Sequence, residues 1–455
     1  MLSDVIAALA TPPGRSAIAV VRVSGAGALD VAERVVQGGA GRTEGREDGL
    51  AGWPPRVAHL TTLLSAAGTP IDQALVSVFR APNSYTGEDL VEFSCHGGLL
   101  APAELLAALH AAGARPAAAG EFTRRAVLNR KLDLLQAEAI GDLIDATAPA
   151  QGRAALYQLD GGLSRRLLAL REELLELLAV LSYDIDFPDE DDGPVSRDRM
   201  LALRTRVRES IGRLLATAPA GQRLHDGALI VLAGRPNAGK SSLFNALLGS
   251  SRALVTEIPG TTRDTIEAQS DVLGWPVRYA DTAGLREADE RLERMGIEVS
   301  RRYVAAADLL LLCVEADREA TSDERKLLGE RPSLLVRSKA DLSPETEDGE
   351  GLRVSAVTGA GLDRLREAIA ERLFGDDGGG YADLEPMLSR ERHRAGLTRA
   401  AGGLDASLPE LARGGDPVLA AHHLRDAVAA LEELIGLVHP DEVLGRVFAR
   451  FCVGK

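Results

Sequence analysis

The run Gly234-Arg235-Pro236-Asn237-Ala238-Gly239-Lys240-Ser241 separates an apolar, strand-like stretch, Ala228 to Ala233, from a helix-like one that continues through Ser242, Leu243 and Phe244. Spacing of the GxxxxGK(S/T) kind in that setting points to phosphate binding. Phosphate oxygens need several converging backbone N–H groups, which a glycine-permitted tight loop at a helix N-terminus presents. Lys240, read as exposed over the loop, adds a positive charge for the β- and γ-phosphates, and the Ser241 hydroxyl can ligate Mg2+. Asn237, Ala238, Gly239 and Ser242 complete the contact set expected of this loop. Thr261-Thr262-Arg263-Asp264 follows in a polar stretch, where the Thr262 hydroxyl can close over Mg2+ and the γ-phosphate as a switch. The residues leading into it, Thr256, Glu257, Ile258, Pro259 and Gly260, are counted with the same site. Asp281-Thr282-Ala283-Gly284 ends a strand, which sets a carboxylate near the metal and a glycine N–H near the γ-phosphate. Ser338-Lys339-Ala340-Asp341 ends another, and the Asp341 carboxylate can accept both guanine N1–H and N2–H, hydrogens that adenine does not offer. Ser355, Ala356 and Val357 would support the base from its far side. Each motif after the glycine-rich loop, taken alone, reads equally well as an ordinary strand-end loop; in this order, behind that loop, they describe a site for hydrolysing Mg2+-chelated GTP.

The elements that must position these residues are visible in the hydrophobic pattern. The 455 residues are 45% hydrophobic and 26% charged, which suits about three folded domains and excludes a disordered or fibrous chain. A net charge of −15 argues against a broad basic face gripping nucleic acid. Cys95, Cys313 and Cys452 lie far apart, which excludes a disulfide framework or a cysteine zinc site. Apolar runs are too short for a membrane span, and the start, with Asp4 and no basic leader, is not that of a secretory signal; the expectation is a soluble, cytoplasmic protein with no membrane partner. Residues 1–130 mix short strand-like runs with one Ala/Leu-rich helix, an α+β unit. Residues 131–224 turn to helical period, clearest in Leu163, Leu167, Leu170, Leu174, Leu177, Leu178 and Leu181. Residues 225–376 alternate strands and helices, which predicts a doubly wound, mostly parallel sheet. Helical period resumes over residues 377–455. The predicted fold class is therefore multidomain, combining α+β, all-α and α/β parts, with a helical domain interrupted by an inserted P-loop domain.

Beyond the nucleotide motifs, ATPPGRSAIAVVRVSG near the start, PNSYTGEDLVEFSCHGG, GEFTRRAVLNRKLDLLQAEAI, the IDFPDE turn and the terminal FCVGK resemble the tRNA-modification GTPase family MnmE, also called TrmE, over nearly the whole chain. The resemblance implies an N-terminal domain (1–130) that binds folate and makes a homodimer, a helical domain in two parts (131–224 and 377–455), and the GTPase domain (225–376) between them. It implies GTP hydrolysis in a complex with an MnmG-like FAD protein, a heterotetramer that adds an aminomethyl or carboxymethylaminomethyl group to C5 of the wobble uridine of certain tRNAs. The one-carbon unit would come from 5-formyltetrahydrofolate or a related tetrahydrofolate. Carried over residue by residue, the folate site falls on Arg22, Glu92, Lys131 and Lys455; a pterin offers N–H donors to a carboxylate, while basic groups suit the anionic glutamate tail.

Two residues depart from the usual GTPase pattern. Ser338 stands where NKxD has Asn, so guanine selectivity leans on Asp341. Leu285 follows DTAG where Ras-like enzymes carry a water-positioning Gln, so another group must assist hydrolysis. The resemblance supplies candidates: K+ held by Asn237 with Thr256, Ile258 and Thr261, activated by dimerisation of the GTPase domains, and Glu293 as the catalytic carboxylate that positions water. Cys452 in the terminal motif reads either as a catalytic thiol or as a small hydrophobe buried in an apolar helix, and Cys313 reads as core. The acidic run around Asp184, Asp186, Asp189, Glu190, Asp191 and Asp192 reads as a solvated helix end rather than a metal site. Two rival functions share these motifs: a GTPase that assists ribosome or RNA assembly, against which the acidic charge and the FCVGK tail argue, and a folate-responsive regulatory scaffold, against which the complete nucleotide motifs argue. GTP turnover in KCl should exceed that in NaCl at equal ionic strength and should collapse in Asn237→Ala and Glu293→Ala; equal rates in the two salts would refute the cation role, and an unimpaired Glu293→Ala would remove that carboxylate from the mechanism.

Overall fold

Period-two alternation along Ile18–Ser24, with Val21 and Val23 fully buried, marks a strand with one face on a core. In the computed structural model that strand is part of a six-stranded sheet. The structure describes residues 4–37, 49–186, 196–249, 266–281, 303–343, 350–375, 387–412, 415–438, 441–449 and 451–454. Two compact units are resolved: Met1–Gly141 together with Glu432–Lys455, and Asp142–Leu431.

The first unit carries strands β1 (Ile6–Leu9), β2 (Ile18–Ser24), β3 (Ala58–Leu64), β4 (Pro70–Phe79), β5 (Leu90–His96) and β6 (Arg115–Pro116) in the order β3-β4-β5-β2-β1-β6. All neighbours are antiparallel except β1 and β6. Val21, Val76, Val91 and Phe93 pack on one face with Leu105 and Leu109 of helix Leu100–Ala111. Ile6, Ala8, Ala117 and Phe122 close a smaller cluster. The late helix Asp441–Phe448 presents Leu444 and Phe448 to Val127, Leu134 and Ala137. Behind it the tail rejoins the start of the chain: Val453 bridges Ala119 antiparallel, and the Gly120 N–H donates to the Cys452 carbonyl at 3.2 Å. Gly454 sits at φ +97°, with its missing Cβ only 2.1 Å from the Leu9 carbonyl oxygen, so no other residue fits that place.

A buried guanidinium ties this unit together. Arg125, 1% exposed, donates to the Asp4 carbonyl (2.8 Å) and carboxylate (2.9 Å), to Glu121 (3.0 Å) and to Glu88 (3.2 Å). Glu88 in turn accepts from Ser24 Oγ at 2.9 Å, which lies 2.7 Å from Thr86 Oγ1. A charge so desolvated is tolerable only when carboxylates and a carbonyl surround it in this way.

The second unit begins with helices Pro149–Leu159, Gly162–Asp186, Arg197–Ala216 and Ala218–Asp226, and the seven leucines of the 163–181 stripe are all buried. Its sheet runs β12-β11-β10-β7-β9-β8, from β7 (Ala228–Ala233), β8 (Ile266–Val272), β9 (Trp275–Asp281), β10 (Leu309–Glu315), β11 (Ser333–Ser338) and β12 (Leu352–Arg353). Every pairing is parallel except β8 with β9. Separate clusters cover the two faces, one around Ile230, Leu232, Phe244, Leu311 and Ile369, the other around Val231, Leu310, Leu312 and Leu335. Burial on both faces explains why β7 and β10 are continuous apolar runs rather than alternating ones. Helix Glu391–Leu411 then packs on Arg197–Ala216, so the sheet interrupts a helical block, in agreement with the multidomain fold class. Among the described residues no helix is long and apolar enough to cross a membrane.

Glu121 sets an acid limit on the first unit. Its burial by itself would raise the carboxyl, but hydrogen bonds from Arg115, from the Ala118 amide and from Arg125 outweigh that and hold it at about 2, below its ordinary 4.5. A carboxyl depressed on folding contributes stability that is present above the unfolded value and lost as pH falls through the folded one, here on the order of 3 kcal/mol. The urea midpoint of this unit should fall between about pH 5 and pH 2, and Glu121→Gln should flatten that slope while lowering the midpoint at neutral pH. A variant with an unaltered slope would show that the carboxyl is not the group being titrated.

Candidate functional site

The β7 strand has β9 on one side and β10 on the other, reached by connections running in opposite directions, so its C-terminal end lies at the switch point of the sheet, where open α/β folds form their ligand crevice. The glycine-rich loop springs from that end. Gly234 leaves the strand at φ +140°, and a Cβ there would stand 2.3 Å from the Cys313 carbonyl oxygen on β10. Asn237 at φ +63° and Gly239 at φ +81° complete the turn, and Gly239 caps helix Lys240–Leu248. The loop thereby aims its amides along a helix N-terminus, where a partial positive charge accumulates.

The side chains of the loop converge as their spacing predicts, with one correction. Lys240 was expected to stand exposed over the loop; it is 6% exposed, folded across the loop with its ammonium donating to the Arg235 carbonyl at 2.7 Å. A buried ammonium requires oxygen partners, and a loop carbonyl is within reach. Ser241 Oγ donates to Asp281 Oδ2 at 2.7 Å. Asp281, 5% exposed, ends β9 beside Leu232, its partner in the parallel register with β7. The sheet thus sets a hydroxyl and a carboxylate from motifs forty residues apart on one spot, hard oxygen donors of the kind Mg2+ takes. Beneath them Cys313 is core, as expected, and burial pushes its thiol up to about 12.

The strand-end motif on β11 closes the other side. Ser338 is 5% exposed and its Oγ donates to the Ala238 carbonyl at 2.7 Å. Lys339 turns the chain at φ +56° and pairs with Glu315, and the single 3-10 turn Ala340–Leu342 leaves Asp341 exposed. Ser355 is fully buried, accepting the Thr358 N–H at 3.1 Å, and Val357 is exposed. Thr256, Glu257, Ile258, Pro259, Gly260, Thr261, Thr262, Thr282, Ala283, Gly284, Leu285 and Glu293 lie outside the described residues, as does the acidic run at 187–192.

A second constellation occupies the first unit. Arg22 on β2 and Glu92 on β5 are direct cross-strand partners, and Arg22 Nε donates to Glu92 Oε1 at 2.7 Å, both side chains about one quarter exposed. The guanidinium also stands 5.5 Å from the centre of the Tyr85 ring. Burial raises the Tyr85 phenol above its ordinary value, although Thr123, 2.7 Å away, and the Arg22 charge pull it down. Lys131 is exposed and lies against Gly87, two residues beyond Tyr85: a Cβ on Gly87 would touch its Cγ at 3.0 Å. Lys455 lies outside the described residues, and the Gly454 before it is buried against β1. Cys452 is exposed, which overturns its reading as a buried hydrophobe: its backbone carbonyl holds Gly120 while Phe448, on the helix before it, takes the buried place. Sequence reasoning missed Tyr85 and the Ser24–Thr86–Glu88–Arg125 network; the only signal was the density of polar residues in Asn83-Ser84-Tyr85-Thr86-Gly87-Glu88.

A family profile described as the MnmE helical domain matches residues 134–452, and one described as the GTP-binding protein TrmE N-terminus matches residues 5–131. The chain is 46% identical over 456 residues to a tRNA modification GTPase MnmE of Thermus thermophilus, with 100% of both chains covered. It is 42% identical over 472 residues to that of Heliobacterium modesticaldum, again with 100% of both covered. To that of Methylorubrum populi it is 46% identical over 459 residues, covering 99% of this chain and 98% of the other.

Of the phosphate-loop glycines Gly234 is the least substitutable. Gly234→Ala should destabilise the sheet unit by about 2 kcal/mol or more, from strain at positive φ and the clash with the Cys313 carbonyl, read as a lower chemical-unfolding midpoint. An unchanged midpoint would mean that the loop leaves β7 by another path.

Proposed function

The chain belongs to the tRNA modification GTPase MnmE family, and on that premise we propose that it hydrolyses GTP to drive modification of the wobble uridine of certain tRNAs. The observation that carries the reading is the meeting of Ser241 and Asp281 on a glycine loop anchored to β11 by Ser338. Lys240 would exchange its loop carbonyl for the β- and γ-phosphate oxygens, and Ser241 with Thr262 would hold Mg2+, Asp281 orienting the serine hydroxyl. Bound Mg2+ supplies neutralisation of charge developing on the phosphates. Asn237, Thr256, Ile258 and Thr261 would hold K+, with GTPase domains pairing across a homodimer, and Glu293 would orient the attacking water. Asp341 would accept the guanine N1–H and N2–H, with Ser355, Ala356 and Val357 flanking the base.

In the first unit, the paired Arg22 and Glu92 beside the Tyr85 ring support the folate assignment. The carboxylate would accept pterin N–H groups, the neutral ring would pack on the pterin face, and Lys131 and Lys455 would meet the anionic tail. 5-Formyltetrahydrofolate or a related tetrahydrofolate would then deliver the one-carbon unit for an aminomethyl-type substituent, in concert with an MnmG-like FAD protein and tRNA in the cytoplasm. The exposure of Cys452 leaves its thiol accessible for a catalytic role.

Nucleoside mass spectrometry of tRNA from cells lacking this protein tests the whole reading. The modified wobble uridine should vanish and return with the wild-type chain. Lys240→Ala should not restore it and should slow GTP turnover by roughly a hundredfold or more. Lys455→Ala, chosen over truncation because Val453 and Gly454 hold the unit together, should also fail to restore it while hydrolysing GTP normally. Wobble uridines unchanged in the deletion strain would overturn the proposal.

A further inference from the structure

We infer that Ser338 is a positioning residue for the phosphate loop and not a reader of the base, so that this chain recognises a guanine nucleotide without sensing its N7 edge. The inference rests on the GTPase reading and specifies how the base is selected.

The geometry leaves little choice. A serine hydroxyl has one proton to donate. Ser338 spends it on the carbonyl oxygen of Ala238, 2.7 Å away. Ala238 is itself 1% exposed, and a buried carbonyl that lost this donor would carry a desolvation penalty. Ser338 is held where it is by the neighbouring strand: its own carbonyl accepts the Ala316 N–H at 2.9 Å, and it pairs with Glu315 in the parallel register of β10 and β11. A Cβ on Gly239 would stand 3.5 Å from Ser338 Cβ, so the serine is packed directly beneath the turn that begins helix Lys240–Leu248. The residue is 5% exposed, walled in by the loop it supports.

Guanine N7 is an acceptor only. An amide side chain at this place could donate to the loop carbonyl with one N–H and keep a second N–H for the base, whereas a hydroxyl committed to Ala238 has none left. Selection of guanine then falls to the carboxylate of Asp341, which addresses the opposite edge, N1–H and N2–H, and is exposed on its turn. Ser338 acts on nucleotide affinity through the loop, and so affects every ligand with the same phosphates alike, whatever its base edge.

Equilibrium titration of the full-length wild-type chain and of Ser338→Ala, with GDP and with 7-deaza-GDP, separates the two roles, because the analogue lacks only the N7 acceptor. The wild type should bind both with equal affinity. Ser338→Ala should weaken both by the same factor, roughly threefold to tenfold for one lost hydrogen bond. A wild-type preference for GDP over its 7-deaza analogue overturns the inference without the help of any variant, and so does a Ser338→Ala chain that binds both as tightly as wild type. Failure of the wild type to bind either nucleotide would overturn the GTPase reading along with it.

Discussion

The second unit depends on one buried cation. Arg204 is 5% exposed, and its guanidinium donates to the Leu404 carbonyl at 2.9 and 2.7 Å and to the Asp405 carboxylate at 2.9 Å, across 200 residues of sequence. Arg208 closes a bidentate pair on the same aspartate, and its hydrogen bonds, with the charges of both arginines, hold the Asp405 carboxyl below its ordinary value. Everything that handles nucleotide lies inside the loop this contact closes. Bringing the ends of a free chain that long together would cost on the order of 5 kcal/mol in entropy, and the folded sheet, whose first and last elements lie in one layer system, removes most of that cost beforehand. A second clasp works at the root of the insertion: Asp142 pairs with Arg390 on the returning connection and lies 3.5 Å from His225 Nδ1 on the outgoing one. The inserted domain can therefore be accommodated without breaking the helical block, because Asp142 pairs with Arg390 on one connection and lies beside His225 on the other.

Within that frame the nucleotide site follows from parallel topology. Parallel strands end on the same side, so Gly234, Asp281 and Ser338, which are 104 residues apart at the extremes (338 − 234), arrive at one edge without any local sequence relation. The three hydrogen bonds that unite them, from Lys240 to Arg235, from Ser241 to Asp281 and from Ser338 to Ala238, all involve buried or half-buried groups, where a charged or polar contact gains from the low local dielectric.

What could be read in the sequence was what is local. The loop motif, the strand before it and the leucine stripe over 163–181 depend on periods of two and 3.6 and on turn chemistry, all of which short windows display. The pairing of Arg22 with Glu92 was not legible as geometry, because register across β2 and β5 links residues 70 apart; resemblance to a family named the residues, and the sheet supplied the contact. The Arg125 network was invisible for the same reason: Asp4 and Glu88 approach it from distances of 121 and 37 residues. Lys240 was misjudged as exposed because its type says charge and only the fold says what covers it. Cys452 stood open between a catalytic thiol and a buried hydrophobe, because a local apolar run does not say which of its members the unit takes in; Leu444 and Phe448 go in and the thiol stays outside.

The tail that bridges Ala119 and seats Gly454 against Leu9 gives the molecule a direction in time. Residues 441–454 emerge from the ribosome about three hundred residues after Leu128, the end of the helix they cover, so the unit that is translated first is completed last. Until then Val127, Leu134 and Ala137 lack the apolar cover that Leu444 and Phe448 provide. The nascent N-terminal unit must wait with an open seam while the entire nucleotide-handling domain is made and folds behind it.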